Sequence, residues 1–335
     1  MTLRRSGAVA ALAIAMLASA CSSDGDALTV YSGRTENLIG PLLEEFTAET
    51  GIEVAVKYGK SDELALLITE EGDRSPADVF ISQSPGAIGF LAEADRLVPL
   101  NPSVFDLVAP AFHSTDGLWV GLSGRVRVLV YNTDDVDKGL LPESVFDLTD
   151  PSYAGRLGIA PANGSVQDFV TAMRELEGDD VTLSWLQGLK ANDAQTYVNN
   201  TAIVQAVGRG EVAFGLVNHY YNFRVRAEDP EAPSKNYYFP DGDIGSLLIA
   251  TAAGILDSSD NADLAGRFIS FMLGESAQTF YSQETLEYPL ASGVQASGAL
   301  PVLGRLNVAT YDFDRLGGGL GRTKELIDAS GLEAP

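Results

Sequence analysis

Cysteine is nearly missing: the 335-residue chain has one, Cys21. A single thiol cannot close an intramolecular disulfide or build a thiolate metal cage, and its place near the N-terminus leaves no catalytic cysteine in the body of the chain. Histidine is almost as scarce, with only His113 and His219. A Ser-His-Asp hydrolase therefore has little to work with, and no Gly-x-Ser-x-Gly elbow is present. The glycines form neither a phosphate loop ending in Gly-Lys-Ser/Thr nor a dinucleotide fingerprint, and Gly317-Gly318-Gly319 lacks the preceding strand such a motif needs. Positive charge is in deficit too. With 22 Lys+Arg against 46 Asp+Glu, the net charge of −24 opposes phosphate backbones, so no nucleic-acid partner is expected. Carboxylate pairs could support glycoside hydrolysis, but 46 acids single out no pair. An enzyme is not expected.

What is present begins with an export pattern. Arg4 and Arg5 precede a short apolar run, Ala8 to Leu17, and the small residues Ala18-Ser19-Ala20 lead to Cys21. The run falls short of the roughly 20 residues a membrane-spanning helix needs. Residues 1–20 therefore read as a signal peptide and 21–27 as a lipid anchor and tether, with Cys21 similar to the acylated residue of bacterial lipoproteins. The expected location is outside the cytoplasmic membrane, on its outer face or in the periplasm.

Beyond Ala27, β-prone runs alternate with apolar-periodic helices: Ala27–Tyr31, then a helix from Leu38 to Thr50; Ile52–Val56, then Asp62–Glu71; and Val79–Ile81. The alternation resumes with strands at Val126–Tyr131, Gly158–Ala160 and Val212–Val217, helices at Ser165–Leu176, Val181–Lys190 and Thr201–Gly208, and a helix from His219. A strand at Leu247–Ile255 and a helix at Ala262–Met272 follow. The expectation is an α/β chain of two lobes, each a mixed, mostly parallel sheet flanked by helices. No linker divides the halves, so the chain should cross between lobes more than once, with strands acting as hinges. The expected division is 28–126 plus about 250–300 for one lobe, and 127–249 plus about 301–335 for the other.

Ligands of open α/β sheets bind beyond the carboxyl ends of strands, where helix N-termini offer free N–H groups. That rule selects Tyr31, Ser32, Gly33, Arg34 and Thr35; Ser82, Gln83 and Ser84; Pro161, Ala162, Asn163, Gly164 and Ser165; Asn199, Asn200 and Thr201; and Asn218 to Tyr221. Asn163-Gly164-Ser165 could hold an anion at a helix start, although Asn and Ser are also the ordinary capping residues there. Tyr220 and Tyr221 leave a helix start about 100° apart and can supply two hard oxygen donors to one highly charged cation, or simply pack. His219, on the same turn, should face away from them.

These segments bear a likeness. Thr29-Val30-Tyr31-Ser32-Gly33, Gly59-Lys60-Ser61-Asp62-Glu63-Leu64, Glu70-Glu71-Gly72-Asp73, Pro76-Ala77-Asp78-Val79-Phe80, Leu122-Ser123-Gly124-Arg125 with Arg127 to Tyr131, Trp185 to Lys190, Asn218-His219-Tyr220-Tyr221 and Glu287-Tyr288-Pro289-Leu290 follow one order over nearly the whole chain beyond the leader. In that order the chain resembles the bacterial ferric-iron-binding proteins of ABC importers. The resemblance implies a type II periplasmic binding protein with Fe(3+) in the cleft between lobes, bound by Tyr220 and Tyr221. It implies a synergistic carbonate or phosphate held by Asn163, Gly164, Ser165, Asn200 and Asn218. It also implies delivery to an ABC permease in the cytoplasmic membrane by a monomer tethered through Cys21. Familiar members place a His and a Glu where this chain has Thr35 and Gln83. Arg34 is then expected to balance the anion and Ser84 to hydrogen-bond to it, with Ser32 in the cleft and Glu36 as a replacement carboxylate. The other reading of the same fold is a receptor for an organic or inorganic anion without iron.

Overall fold

The computed structural model describes residues 27–83, 85–296, 298–311 and 319–332. The leader, Cys21 and Ser84 lie outside the described residues. Among those described, no helix is long and apolar enough to cross a membrane.

The first part of the chain runs β1 (Leu28–Ser32), α1 (Glu36–Thr50), β2 (Val54–Tyr58), α2 (Ser61–Glu71), β3 (Val79–Ser82), α3 (Pro85–Glu93) and β4 (Leu97–Val98), then enters the long β5 (Val120–Asn132). Next come β6 (Leu157–Ile159), α4 (Gly164–Glu177), α5 (Asp179–Ala191), β7 (Gln195–Thr196), α6 (Asn200–Gly208), β8 (Phe214–Asn218), α7 (His219–Glu228) and β9 (Ser234–Tyr237). The chain returns through β10 (Leu248–Leu256), α8 (Ala262–Met272), α9 (Glu275–Phe280) and β11 (Tyr288–Pro289), and ends with α10 (Leu320–Ser330).

β1 lies between β2 and β3, parallel to both, and β6 lies between β7 and β8, again parallel. The strands joining these two groups run the other way. β10 is antiparallel to β3 and to the first half of β5, with partners from Val120 to Val126. The second half of β5, from Arg127, is antiparallel to β8 and β9. One strand thus belongs to both groups, and the sheet as a whole is mixed. Parallel pairs arise where a helix returns the chain, and antiparallel pairs where the chain passes between groups.

β5 begins six residues before the expected Val126, because Gly121, Ser123 and Gly124 interrupt its apolar run. The glycine is required by space: a Cβ on Gly121 would stand 2.9 Å from the carbonyl oxygen of Phe112. All of β5 is buried. On one side, Ile39, Leu42 and Phe46 of α1 and Phe268 and Ile269 of α8 close the core over β1, β3 and β10. On the other, Phe169 and Val170 of α4, Trp185 and Leu189 of α5, and Leu326 and Ile327 of α10 share a core with β5 and β8.

Candidate functional site

The parallel strands β1, β3, β6 and β8 all end towards one cleft, where a cavity of about 360 Å³ opens. Gly33, Lys60, Ser61, Asp62 and Gln83 form one wall. Asn163, Gly164, Ser165, Asn218, Tyr220 and Tyr221 form the other, and Arg125 of β5 reaches the cavity between them. Backbone amides at the starts of α4 and α7 lie on the second wall, which favours negative charge there.

Tyr220 and Tyr221 open α7 directly after buried β8. Consecutive helical residues point about 100° apart, yet these rings turn together, with centroids 4.2 Å apart and planes at 32°. Tyr220 is buried and Tyr221 half-buried, and the Arg224 guanidinium covers the Tyr220 ring at 4.6 Å. Burial first, and then the adjacent Tyr221, push the Tyr220 phenol well above its ordinary value, while the charge of Arg125 pulls it down. His219 faces away, as expected. It is fully buried, accepting from the Val126 amide at Nδ1 (3.1 Å) and placing Nε2 2.8 Å from the Leu286 carbonyl. This network puts the proton on Nε2. Burial lowers the His219 pKa to about 4, so it stays neutral. It pins the crossing strand and is not a cleft ligand.

The start of α4 is a closed network. Asn163 caps the helix: its Oδ1 accepts from the Ser165 amide (3.0 Å), the Ser165 hydroxyl (2.7 Å) and Asn200 Nδ2 (3.3 Å). Ser165 Oγ in turn accepts from Asn200 Nδ2 (3.1 Å) and Arg127 Nη1 (3.3 Å). Arg127 also donates to Asn218 Oδ1 at 3.2 Å. The capping reading and the ligand reading therefore fall on the same residues. Asn163, Gly164, Ser165 and Asn218 face the cavity, and Asn200 lies fully buried against them.

Several expected residues are not brought in. Arg34 is correctly placed by neither charge nor direction for an anion in the cavity. Its guanidinium is buried in a two-pronged pair with Glu287 (3.0 and 3.1 Å) and also donates to Thr251 Oγ1 at 3.0 Å. Burial works against both charges, but each holds its partner ionised: Arg34 is raised, and Glu287 lies below the usual carboxylate range. Ser32 is fully buried and bonds the Arg34 backbone on both sides. Thr35 is exposed and donates to Asn37 Oδ1, and Glu36 is exposed at the first turn of α1. None of these four lines the cavity. Gln83 does, with its amide on Ser61 Oγ (2.9 Å) and its carbonyl accepting from Arg125.

Arg125 and Arg127, two residues apart on β5 and so on one face, are each 1% exposed and were not among the expected site residues. The available signal was a pair of arginines within a strand otherwise built for burial. Burial lowers the Arg127 pKa to about 10, opposed by Tyr221 and Tyr220, so it remains a cation.

The donor set can be tested against a hard trivalent cation. Among the described residues no three His, Cys, Asp or Glu side chains converge, so the usual cages for divalent transition metals and calcium are missing. Two phenols beside amide and guanidinium donors suit an ion acid enough to displace phenolic protons, with an anion completing its shell.

A cleft of this kind, walled by helix starts on two groups of strands joined by a shared strand, has the architecture of a solute-binding protein of the type II fold. The chain belongs to the family described as bacterial extracellular solute-binding protein, whose model matches residues 74–316. It is 32% identical over 333 residues to the Fe(3+)-binding periplasmic protein of Serratia marcescens, covering 97% of each chain. It is 34% identical to the major ferric iron-binding protein of Neisseria meningitidis, over 87% of this chain and 90% of that one. Among solved structures, iron-bound HitA from Pseudomonas aeruginosa superposes with a TM-score of 0.85 at 36% identity, covering 91% of this chain and 99% of that one. The Trichodesmium protein in complex with iron and citrate superposes at 0.82 with 27% identity, covering 92% and 100%.

Proposed function

We propose that this protein captures ferric iron together with an anion in its cleft and hands it to an ABC permease, acting as a carrier and not an enzyme. The observation that carries this reading is the facing Tyr220–Tyr221 pair, set beside Arg125 in a cleft without a His or carboxylate cluster among the described residues. The relatives named for ferric iron support it. Tyr220 and Tyr221 supply phenolates, and the α4 start with Asn163, Gly164, Ser165, Asn200 and Asn218 holds the anion. The lobe containing Gly33, Ser61 and Gln83 closes over them. The lobes are 28–126 with about 250–300, and 127–249 with about 301–335. Carbonate or phosphate serves as the anion, and the cavity also has room for a citrate-sized one. The mature chain is a monomer tethered outside the cytoplasmic membrane through lipidated Cys21.

Titration of iron-free protein with ferric citrate is the test. A tyrosinate-to-iron visible band at one iron per chain is expected, and it should vanish in the Tyr220→Phe, Tyr221→Phe double variant. A band that survives both substitutions defeats the assignment.

A further inference from the structure

The charge on β5 is not accounted for by packing. Arg127 is 1% exposed, and its Nε and Nη2 have no hydrogen-bond partner among the described residues. Its remaining nitrogen, Nη1, holds Ser165 Oγ and Asn218 Oδ1, both on the cavity wall. Phe169 packs on the guanidinium at 5.5 Å, and Asp168 acts on it electrostatically. Arg125, also buried, contacts the Gln83 carbonyl and keeps an unpartnered Nε. The neighbouring acids already have cations: Glu287 pairs with Arg34 at 3.0 Å, and Asp62 with Lys324 at 3.8 Å. A buried guanidinium is costly while its charge is only partly offset, here by Asp168, and an anion held at Ser165 and Asn218 offsets the remainder through the two side chains that Arg127 bonds.

Resting on the iron reading, we propose that Arg127, supported by Arg125, sets the charge of the co-bound anion: the site takes an oxyanion with at least two negative charges and rejects monoanions. A ferric ion with two phenolates keeps one positive charge, two buried arginines add two more, and Asp168 on the cavity wall removes one. A carboxylate monoanion cancels half of that excess, whereas hydrogen phosphate or a tricarboxylate removes all of it. Arg127 acts through Ser165 and Asn218. By occupying Asn218 Oδ1 it leaves the Asn218 amide N–H groups to face an incoming oxygen, and its charge adds to that of the α4 amides. It is a positioning residue that reads anion charge.

The experiment is calorimetric titration of iron-free, full-length protein with phosphate, citrate and acetate, repeated on Arg127→Lys and Arg127→Met, with thermal melts to confirm folding. Wild type should bind phosphate and citrate at least about tenfold more tightly than acetate. Arg127→Met should lose that preference, and Arg127→Lys should keep the preference at reduced affinity, since it retains charge without the planar fork. Equal affinity for acetate and phosphate in wild type, or an undiminished preference in a folded Arg127→Met protein, overturns the proposal. If Arg127→Met does not fold, Arg127→Gln takes its place, and an undiminished preference in that folded variant overturns the proposal. The arms separate the two readings. Arginine-dependent phosphate binding without a tyrosinate–iron band sinks the iron reading alone, and a band with no anion discrimination sinks this one alone.

Discussion

The two walls of the cleft differ in kind. The second wall is built from the starts of α4 and α7 and carries both tyrosines, the amide cluster and the N–H groups of two helix termini. The first wall offers Gly33, Lys60, Ser61, Asp62 and Gln83, and its charged candidates have turned elsewhere: Arg34 inward to Glu287, Glu36 outward to solvent. One wall therefore carries the phenols and the amide cluster, while the other presents Lys60, Asp62 and small polar groups. On the proposed reading, the ion binds the second wall and the first wall follows, so affinity and closure become separable quantities.

That separation can be attacked from several sides. The largest effect belongs to the second wall: Tyr220→Phe with Tyr221→Phe should abolish the visible iron band and lower affinity more than about a thousandfold, a loss of roughly 4 kcal/mol or more. In wild type, loading should release about two protons per ferric ion, because both phenols must ionise, so retention falls steeply as pH drops. Competition against citrate at pH 7.5 and 5.5 measures it.

Next, Glu287→Gln should destabilise the fold by about 3–5 kcal/mol in denaturant melts, because it strands the buried Arg34 charge, yet leave the band intact in the protein that folds. Loss of the band without loss of stability would move Glu287 and Arg34 from scaffold to ligand.

A smaller effect comes from the pin between the halves. His219 has a folded pKa of about 4, below its ordinary value, so the unfolded chain binds the proton more readily. Its stabilising contribution is present above the unfolded pKa of about 6.5 and is lost as pH falls towards 4. Between pH 7 and 5 this amounts to roughly 2 kcal/mol, and a His219→Gln variant should lack that part of the pH slope. Smallest of all, Asp62→Asn removes a half-exposed pair with Lys324 at 3.8 Å and should change iron release by no more than about twofold, read in stopped flow.

Much of this was legible in residue order, for physical reasons. Helical periodicity marked α1, α2, α4 and α8 because each buries one face on the sheet, and strand ends pointed to the tyrosine pair and the α4 start. The inward turn of Arg34 was not legible, since its partner lies 253 residues away and nothing local distinguishes a paired arginine from a free one. Arg125 and Arg127 escaped for a related reason. They interrupt an apolar strand and look like surface residues until β8, β9 and β10 pack against β5 on both edges. The stacking of the tyrosines depends on side-chain rotation, which spacing along a helix does not specify.

The Asn163 side chain bears on the other half of a carrier's task, which is to be empty. Its Oδ1 gathers three donors that would otherwise face the cleft unmet. It acts as a placeholder oxygen, so an unloaded receptor carries little penalty at this position and an arriving anion must exchange with it. The start of α4 thus stays hydrogen-bonded between loads, and release of the cargo need not unravel that helix end.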